Sequence, residues 1–351
     1  MAADVKAAQA EKADKKKLKL ALYWAASCGG CEIAVLDINE KILTVAELAD
    51  IVLWPVATDF KYKDVEALPD KSVDVCLFNG AIRNSEQKEL AELLRAKSKV
   101  MVAFGACACF GGIPALANQF DRESIFERVY GTTPSTDNVA RVLPQTKLAV
   151  PQGELHLPTF YNAVYKLDDI VEVDYYLPGC PPPPELIWTA IEAIVSGKLP
   201  PVGSTIAGER SLCHSCKRKK EDKKVSAFHR VHEIIPDNER CLLEQGIICL
   251  GPVTREGCGE RCLNANMPCR GCFGPTPEAL EHGAGMLSAV ATAVEGKDED
   301  KLAKVLEGVV DPLGTFYRFT LADSLLRIRA KSLAAGRAET GERVKKEEAA
   351  S

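Results

Sequence analysis

The first half of this 351-residue chain is predicted to form an α/β fold in which helices cover both faces of a parallel sheet. Three observations predict it: the strands are continuous apolar runs, helical segments separate them, and glycine-rich loops follow several of them. Uninterrupted apolar strands are typical of a sheet that is buried on both faces, because a solvated face would show alternating polar residues. Strands are expected at residues 18–24, 50–56, 73–80, 99–107 and 171–180.

The predicted elements follow one another in the order that such a sheet requires. The run LKLALYW forms the first strand, and a helix expected at 32–43 leads to the second. The helix expected at 85–98 is amphipathic, with three leucines on one face. After the last strand, the prolines of PGCPPPP keep the chain extended until another helix begins near Glu185.

Cysteines are the most informative residues of the chain. Twelve of the fourteen fall into three groups of four, and four thiolates are what one cubane 4Fe-4S cluster requires. The arithmetic predicts three clusters and therefore a protein that conducts single electrons. The groups are Cys28, Cys31, Cys107 and Cys180; Cys213, Cys216, Cys241 and Cys249; and Cys258, Cys262, Cys269 and Cys272.

Disulfides and zinc are the competing interpretations of so many cysteines. Disulfides persist in oxidising compartments, whereas residues 1–19 contain neither the apolar segment nor the twin arginine of an export signal. No later stretch approaches the roughly eighteen apolar residues of a membrane span, so a soluble cytoplasmic protein with reduced thiols is expected. Zinc stays open, because CxxC pairs also bind zinc, but the loops around the cysteines favour iron.

Composition limits the partners. The 44 basic and 49 acidic residues give a net charge of -5, so there is no basic excess to neutralise phosphates. Nucleic acid is therefore not an expected partner.

Four cysteines follow predicted strands. Cys28 and Cys31 come after the first strand, Cys107 after a later one and Cys180 after the last. Because ligands collect beyond the carboxyl ends of parallel strands, these residues are expected to converge on one edge of the sheet. The glycines of SCGGCE let the backbone wrap a bulky cluster and direct N-H groups at its sulfurs.

The motifs CGGCE after the first strand, GACACFGG, and PGCPP at the last strand resemble the proximal-cluster motifs of nickel-iron hydrogenase small subunits and of the related 20-kDa-type subunit of respiratory complex I. The complex I subunit ends soon after its single cluster, whereas this chain continues with eight more cysteines in the order of hydrogenase small subunits. The similarity runs from about Leu18 to Ser332. The closing GTFYRFTLADSLL also resembles the methyl-viologen-reducing, or deazaflavin-non-reducing, hydrogenases.

This resemblance implies a flavodoxin-like domain with the proximal cluster, followed by a mostly irregular and helical iron-sulfur domain with the other two. The corresponding bounds are 18–195 and 196–334, between an N-terminal extension at 1–17 and a C-terminal tail at 335–351. The first cysteine group would bind the proximal cluster, the group from Cys258 to Cys272 the medial one, and the group from Cys213 to Cys249 the distal one.

Two departures from respiratory hydrogenases can be interpreted chemically. Where those enzymes have a histidine at the distal cluster, this chain has Cys213-His214-Ser215-Cys216; we assign Cys213 as the ligand, with His214 as the competitor. Where many of them have a proline and a 3Fe-4S medial cluster, this chain has Cys262. A fourth cysteine should retain a fourth iron. A chain whose three clusters are all of the 4Fe-4S type suits a low-potential acceptor.

Several other residues have both a functional and a purely structural interpretation. Glu32 could belong to a proton route at the contact with a large subunit, or it could only favour the start of a helix. Cys109 is either a thiol beside the cluster or a small packed residue, and Cys76 is expected to be a core residue. The pair His229 and His232 could bind a metal if helical, but a charged linker explains it better.

The run KRKKEDKK at 217–224 is expected to be a solvated loop, with a basic rim that attracts an acidic redox partner as the alternative.

No residue looks like a catalytic centre for dihydrogen, and there is no Walker loop and no GxGxxG after a strand. By resemblance, the nickel-iron centre lies in a separate large subunit, and this chain relays electrons from it to an acceptor such as an iron-sulfur adaptor of heterodisulfide reductase. The alternative is a stand-alone electron carrier or cluster scaffold without hydrogen chemistry.

Overall fold

The structure of the protein is a computed structural model that describes residues 17–279, 281–295 and 299–326. The predicted N-terminal extension, apart from Lys17, and the predicted C-terminal tail lie outside these residues.

Five parallel strands form the central sheet, in the order β2-β1-β3-β5-β9. Counted along the chain, this is the order 2-1-3-4-5 of flavodoxin-like folds, so the predicted α/β class is confirmed. Two smaller antiparallel pairs, β4 with β8 and β6 with β7, lie outside this sheet. The strands in the described residues are β1 (Leu18–Trp24), β2 (Ala49–Leu53), β3 (Val73–Asn79), β4 (Ile82–Asn84), β5 (Ser98–Phe104), β6 (Lys147–Val150), β7 (Gly153–His156), β8 (Phe160–Tyr165) and β9 (Tyr175–Leu177).

Helices connect the strands of the sheet, and those described in the second half of the chain range from four to thirteen residues in length. They are α1 (Gly30–Leu36), α2 (Lys41–Leu48), α3 (Tyr62–Glu66), α4 (Ser85–Lys97), α5 (Ala106–Phe110), α6 (Arg122–Phe126), α7 (Pro184–Ser196), α8 (Leu212–Ser215), α9 (Arg261–Asn264), α10 (His282–Ala293), α11 (Glu299–Glu307) and α12 (Pro312–Phe316).

The single helix predicted at 32–43 is wrong. Helix α1 ends at Leu36, the chain turns, and α2 starts at Lys41. Asn39 adopts a left-handed backbone with φ 57°, which interrupts a continuous helix. Asparagine is one of the few residues that tolerate this conformation.

Both faces of the sheet are covered, as the apolar strands predict. Along β3, Cys76 and Phe78 belong to one core, whereas Val75 and Leu77 belong to the core on the other face. Helix α7 contributes Ile187 to the second of these cores. The alternation follows from the two-residue repeat of a strand.

The end of the described chain packs back on the first half. Phe319 belongs to a core of the sheet, and its carbonyl accepts a hydrogen bond of 3.1 Å from Gly112 N. Lys166 forms ion pairs with Asp168 and Asp323 at 2.9 and 3.0 Å. The predicted domain bounds stay a prediction, but these contacts tie the last segment to the sheet.

Within the part of the chain that the structure describes, no helix combines the length and the apolar character needed to cross a membrane.

Candidate metal centres

The first cysteine quartet lies at the carboxyl edge of the sheet. Cys28 and Cys31 lie at the start of α1, directly beyond β1, and Cys107 lies in α5, beyond β5. Cys180 follows β9 and the Gly179 turn. The sheet therefore brings together four residues that are far apart in sequence, as their positions after strands predict.

The four thiols act on one another electrostatically. Burial, followed by the charges of Cys107, Cys180 and Cys28, raises the pKa of Cys31. Burial followed by Cys180 and Cys28 raises the pKa of Cys107 to about 12, and burial followed by Cys28 raises the pKa of Cys180. Every pair within the quartet interacts, so four bare thiolates would repel each other here. Such a donor set fits a cationic iron core, which coordinates all four sulfurs.

Glycines line this site because larger residues would not fit. A Cβ atom on Gly105 would lie 2.4 Å from Cys31 Sγ, and one on Gly112 would lie 2.6 Å from Cys107 Sγ. Gly30 N also donates a hydrogen bond to Cys28 Sγ over 3.4 Å. The glycine-rich loops thus leave room beside the sulfurs and direct an N-H group at one of them.

A second quartet forms around the short helix α8. Burial raises the pKa of Cys213 to about 12, Lys220 opposes this, and Cys249, Cys241 and Cys216 add to it. A Cβ on Gly251 would lie 3.2 Å from Cys213 Sγ and 3.6 Å from Cys249 Sγ.

The charges of the other three cysteines of this quartet act on Cys213. The His214 side chain is exposed and lines a separate cavity that includes Ser211 and Pro252. This placement favours Cys213 over His214 as the ligand, the two alternatives that the sequence leaves open.

The third quartet is centred on Cys272. Burial raises its pKa to about 12, and Cys258 and Cys262 contribute to the increase. Burial also raises the pKa of Cys269, to which Cys272 contributes. Cys262 is exposed and lies in α9.

The third quartet adjoins the other two. The backbone N-H of Cys180, in the first quartet, faces the thiol of Cys272 and lowers its pKa, whereas the charge of the Cys180 thiolate raises it. On the other side, Cys269 N donates a hydrogen bond to Cys249 Sγ over 3.3 Å. The quartets therefore form a line, with the one from Cys258 to Cys272 in the middle.

All fourteen cysteines are free thiols, including Cys76 and Cys109. Both of these are buried in a core of the sheet, and Cys109 Sγ donates to Ala103 O over 3.2 Å. Cys76 packs as a core residue, as predicted. Burial, with further contributions from the charges of Asp168, Cys31 and Cys107, raises the pKa of Cys109, so this thiol lies in the core and also beside the first quartet. Among the described residues, no three His, Cys, Asp or Glu side chains lie close enough to hold a single metal ion.

A buried histidine behind the third quartet escaped the sequence analysis. Thr254 Oγ1 donates to Leu250 O over 2.7 Å and lies 3.0 Å from His282 Nε2. Burial raises the pKa of Cys269, and a hydrogen bond from the Thr254 side chain lowers it by a smaller amount. Burial lowers the pKa of His282 to about 4, so the ring is neutral. The sequence signal that could have identified His282 is its position in the helix HGAGMLSAVATA, whose other residues are mostly small or apolar.

Glu32 is buried beside Cys31, with 4% of its surface exposed. Trp54 Nε1 donates a hydrogen bond to its carboxylate. The amide of Asn79 lies nearby, although its atoms make no hydrogen bond of standard geometry with the described residues. Burial raises the pKa of Glu32, and Trp54 and Asn79 lower it by smaller amounts.

The basic run at 217–224 is engaged in local contacts. Arg218 donates to the carbonyls of Asp237 and Leu263, and Lys220 Nζ donates to Cys213 O over 2.9 Å. Lys219 pairs with Glu239 at 2.8 Å. Most of this run therefore shapes the loop around the second quartet.

Comparisons with known proteins place these sites in context. Residues 28–194, which include the first quartet, match the family model described as NADH ubiquinone oxidoreductase, 20 Kd subunit. The chain is 41% identical over 315 residues to the iron-sulfur subunit of the F420-non-reducing hydrogenase of Archaeoglobus profundus, covering 88% of this chain and 98% of that protein. It is 38% identical to the corresponding chain of the vhu F420-non-reducing hydrogenase of Methanocaldococcus jannaschii, with 90% and 98% covered.

Solved structures are more distant. A chain of the NAD+-reducing [NiFe]-hydrogenase is 31% identical, covers 53% of this chain and 94% of its own length, and has a TM-score of 0.45. A chain of the [NiFeSe]-hydrogenase of Dm. baculatum is 18% identical, with 76% and 97% covered and a TM-score of 0.47.

Proposed function

Because the chain belongs to the family of small subunits of F420-non-reducing hydrogenases, which are nickel-iron enzymes, we propose that it relays electrons from dihydrogen oxidation through three 4Fe-4S clusters. It is a subunit of an oxidoreductase. One observation carries it: the middle quartet touches the first through Cys272 and Cys180, and the second through Cys269 and Cys249.

The ligand assignments follow the quartets. We assign the first quartet to a proximal cluster, the third to a medial cluster and the second to a distal cluster. Each cluster supplies a centre that accepts and releases one electron. The thiols hold it, and N-H groups such as that of Cys269 stabilise negative charge on a sulfur.

The nickel-iron centre is proposed to lie in a large subunit that covers the first quartet. Cys28 and Cys180 are exposed at the sheet edge. The apolar side chains of Trp24, Ile33 and Ile113, which flank this quartet in sequence, are 40, 58 and 43% exposed. Apolar surface beside a cluster is typical of a face that a partner covers.

Glu32 is proposed as part of a proton route at that contact. Burial favours its protonated form, and Trp54 fixes the orientation of its carboxylate. A carboxyl group in this position could accept and release protons beside the proximal quartet.

The electrons would leave from the distal quartet to an iron-sulfur adaptor that leads to a heterodisulfide reductase. The relatives are named for not reducing F420, which supports an acceptor of another class. Twelve cluster-binding thiols suit a reducing compartment, so we propose the cytoplasm.

Purification of the native complex tests this function. We expect a nickel-containing large subunit to co-purify with this chain, and hydrogen-dependent viologen reduction to require both. A chain that purifies alone with full iron content, and has no nickel partner in its cells, would instead be a stand-alone electron carrier.

A further inference from the structure

A cavity of about 200 Å³ lies in the second half of the chain, outside the three quartets. Segments around residues 229–232, 247–248 and 308–318 form its walls. Its size exceeds by far the roughly 15 Å³ that one water molecule needs. It can therefore admit a small ligand.

The walls of this cavity are strongly cationic. Arg230, Arg270 and Arg318 all line it, and the only carboxylate among the lining residues is that of Asp311. This carboxylate is already engaged, because Asp311 Oδ1 accepts a hydrogen bond of 2.9 Å from Gly314 N at the start of α12. Three guanidinium groups thus share a space with one carboxylate that has another role.

Arg270 and Arg318 line the same cavity of about 200 Å³, so their positive charges share one small space. Arg318 donates only its Nε hydrogen, to Gly314 O over 3.1 Å, among the described residues. Over the same residues, neither guanidinium forms an ion pair within 4.0 Å. Two adjacent like charges in a half-buried cavity are unfavourable unless an anion lies between them.

Of the three arginines that line the cavity, Arg270 lies near cysteines of the quartets. Arg270 is attracted to Cys249, Cys262 and Cys269, so bound clusters would be favourable neighbours for it. Arg318 forms no ion pair within 4.0 Å among the described residues, so an anion in the cavity would supply a counter-charge for its guanidinium.

We propose that this cavity binds an oxyanion of the phosphate class, held between Arg270 and Arg318 with Arg230 at the rim. The planar guanidinium group matches phosphate oxygens in a two-point geometry. The phosphate is either free or the terminal group of a small organic phosphate. None of the three arginines is a proposed cluster ligand, so anion binding here does not depend on hydrogen oxidation.

Binding of phosphate to the purified native complex tests the proposal directly. Equilibrium dialysis with labelled inorganic phosphate, and in a second arm with ribose 5-phosphate, should show saturable binding of at least one. Tighter binding of inorganic phosphate would indicate a free anion, and tighter binding of ribose 5-phosphate would indicate a phosphate on a larger molecule. The absence of saturable binding of both at millimolar concentration would overturn the proposal.

Variants locate the site. Arg318→Gln should weaken binding at least about tenfold, as expected for the loss of a charge-assisted hydrogen bond. Arg230→Gln, at an exposed position, should weaken phosphate binding less. This variant tests the cavity if Arg318→Gln does not fold. Arg128→Gln removes the same charge from an exposed position elsewhere in the chain and should bind like the parent. Parental affinity in both cavity variants, with unchanged iron content, would refute the assignment.

Discussion

The backbone N-H of Cys269 points at the sulfur of Cys249 over a distance of 3.3 Å. These cysteines belong to different quartets, so one hydrogen bond spans the contact between two proposed clusters. Cys272 and Cys180 form the corresponding contact on the other side. If the quartets hold the proposed clusters, these contacts would keep neighbouring clusters close, which a relay of single electrons requires.

The first prediction concerns the distal ligands. The native chain should contain about twelve irons, and Cys213→Ser should lose about four of them, because each quartet holds one cluster. His214→Ala should keep all of them, since His214 is exposed and faces a separate cavity. Iron and sulfide analysis of the two purified variants makes the comparison. If His214→Ala loses a cluster and Cys213→Ser does not, the histidine is the ligand.

The second prediction concerns the space beside the proximal quartet. Gly105→Ala should prevent assembly of the first cluster, because its Cβ would lie 2.4 Å from Cys31 Sγ and its φ of +85° disfavours a side chain. The variant should lose about four irons. Gly197→Ala is the matched control: Gly197 also has a positive φ, of +66°, but no atom lies within 4 Å of its added Cβ. Full iron content in Gly105→Ala would contradict the proposed position of the cluster.

The central sheet was predictable because its strands are apolar runs that need no knowledge of distant contacts. The cysteines of the first quartet could be placed for the same reason, since each follows a strand. The break at Asn39 was missed because the sequence on both sides of it continues as a helix would.

Side chains of the second half were harder to predict. His282 begins helix α10 and Arg318 follows helix α12; long-range packing of these helices brings both residues to their sites, and no periodic pattern marks them. The hairpin of β6 and β7 was also missed, because its residues are mostly exposed and show little apolar patterning.

The third prediction concerns Arg270, which is attracted to Cys249, Cys262 and Cys269. Arg270→Gln should lower the midpoint potentials of the medial and distal clusters, because a nearby positive charge stabilises the reduced, more negative state. The expected change is on the order of tens of millivolts. Redox titration followed by electron paramagnetic resonance, in phosphate-free buffer, measures it. The proximal cluster is the internal control, and an equal change at all three clusters would point to a general structural effect.

The last prediction concerns docking of the electron acceptor at the basic run. Arg218 is unsuited to this test, because its guanidinium donates to Asp237 O, Leu263 O and Asn266 Oδ1 and therefore supports the fold. Lys217 is exposed and makes no hydrogen bond or ion pair with the described residues, and Lys219 is exposed and pairs only with Glu239. If the acceptor is acidic, neutralising these two lysines should slow electron transfer.

The double variant Lys217→Gln and Lys219→Gln should reduce the rate several-fold at low salt and much less at physiological ionic strength, where charges are screened over about 8 Å. Lys63→Gln with Lys198→Gln removes two exposed charges elsewhere and is the control. Stopped-flow rates of acceptor reduction across a salt series give the comparison. Because rim charges accelerate encounter more than they strengthen binding, the double variant should lower the association rate of the acceptor. Identical rates and salt dependence in both double variants would show that the run is a solvated loop that only supports the distal quartet.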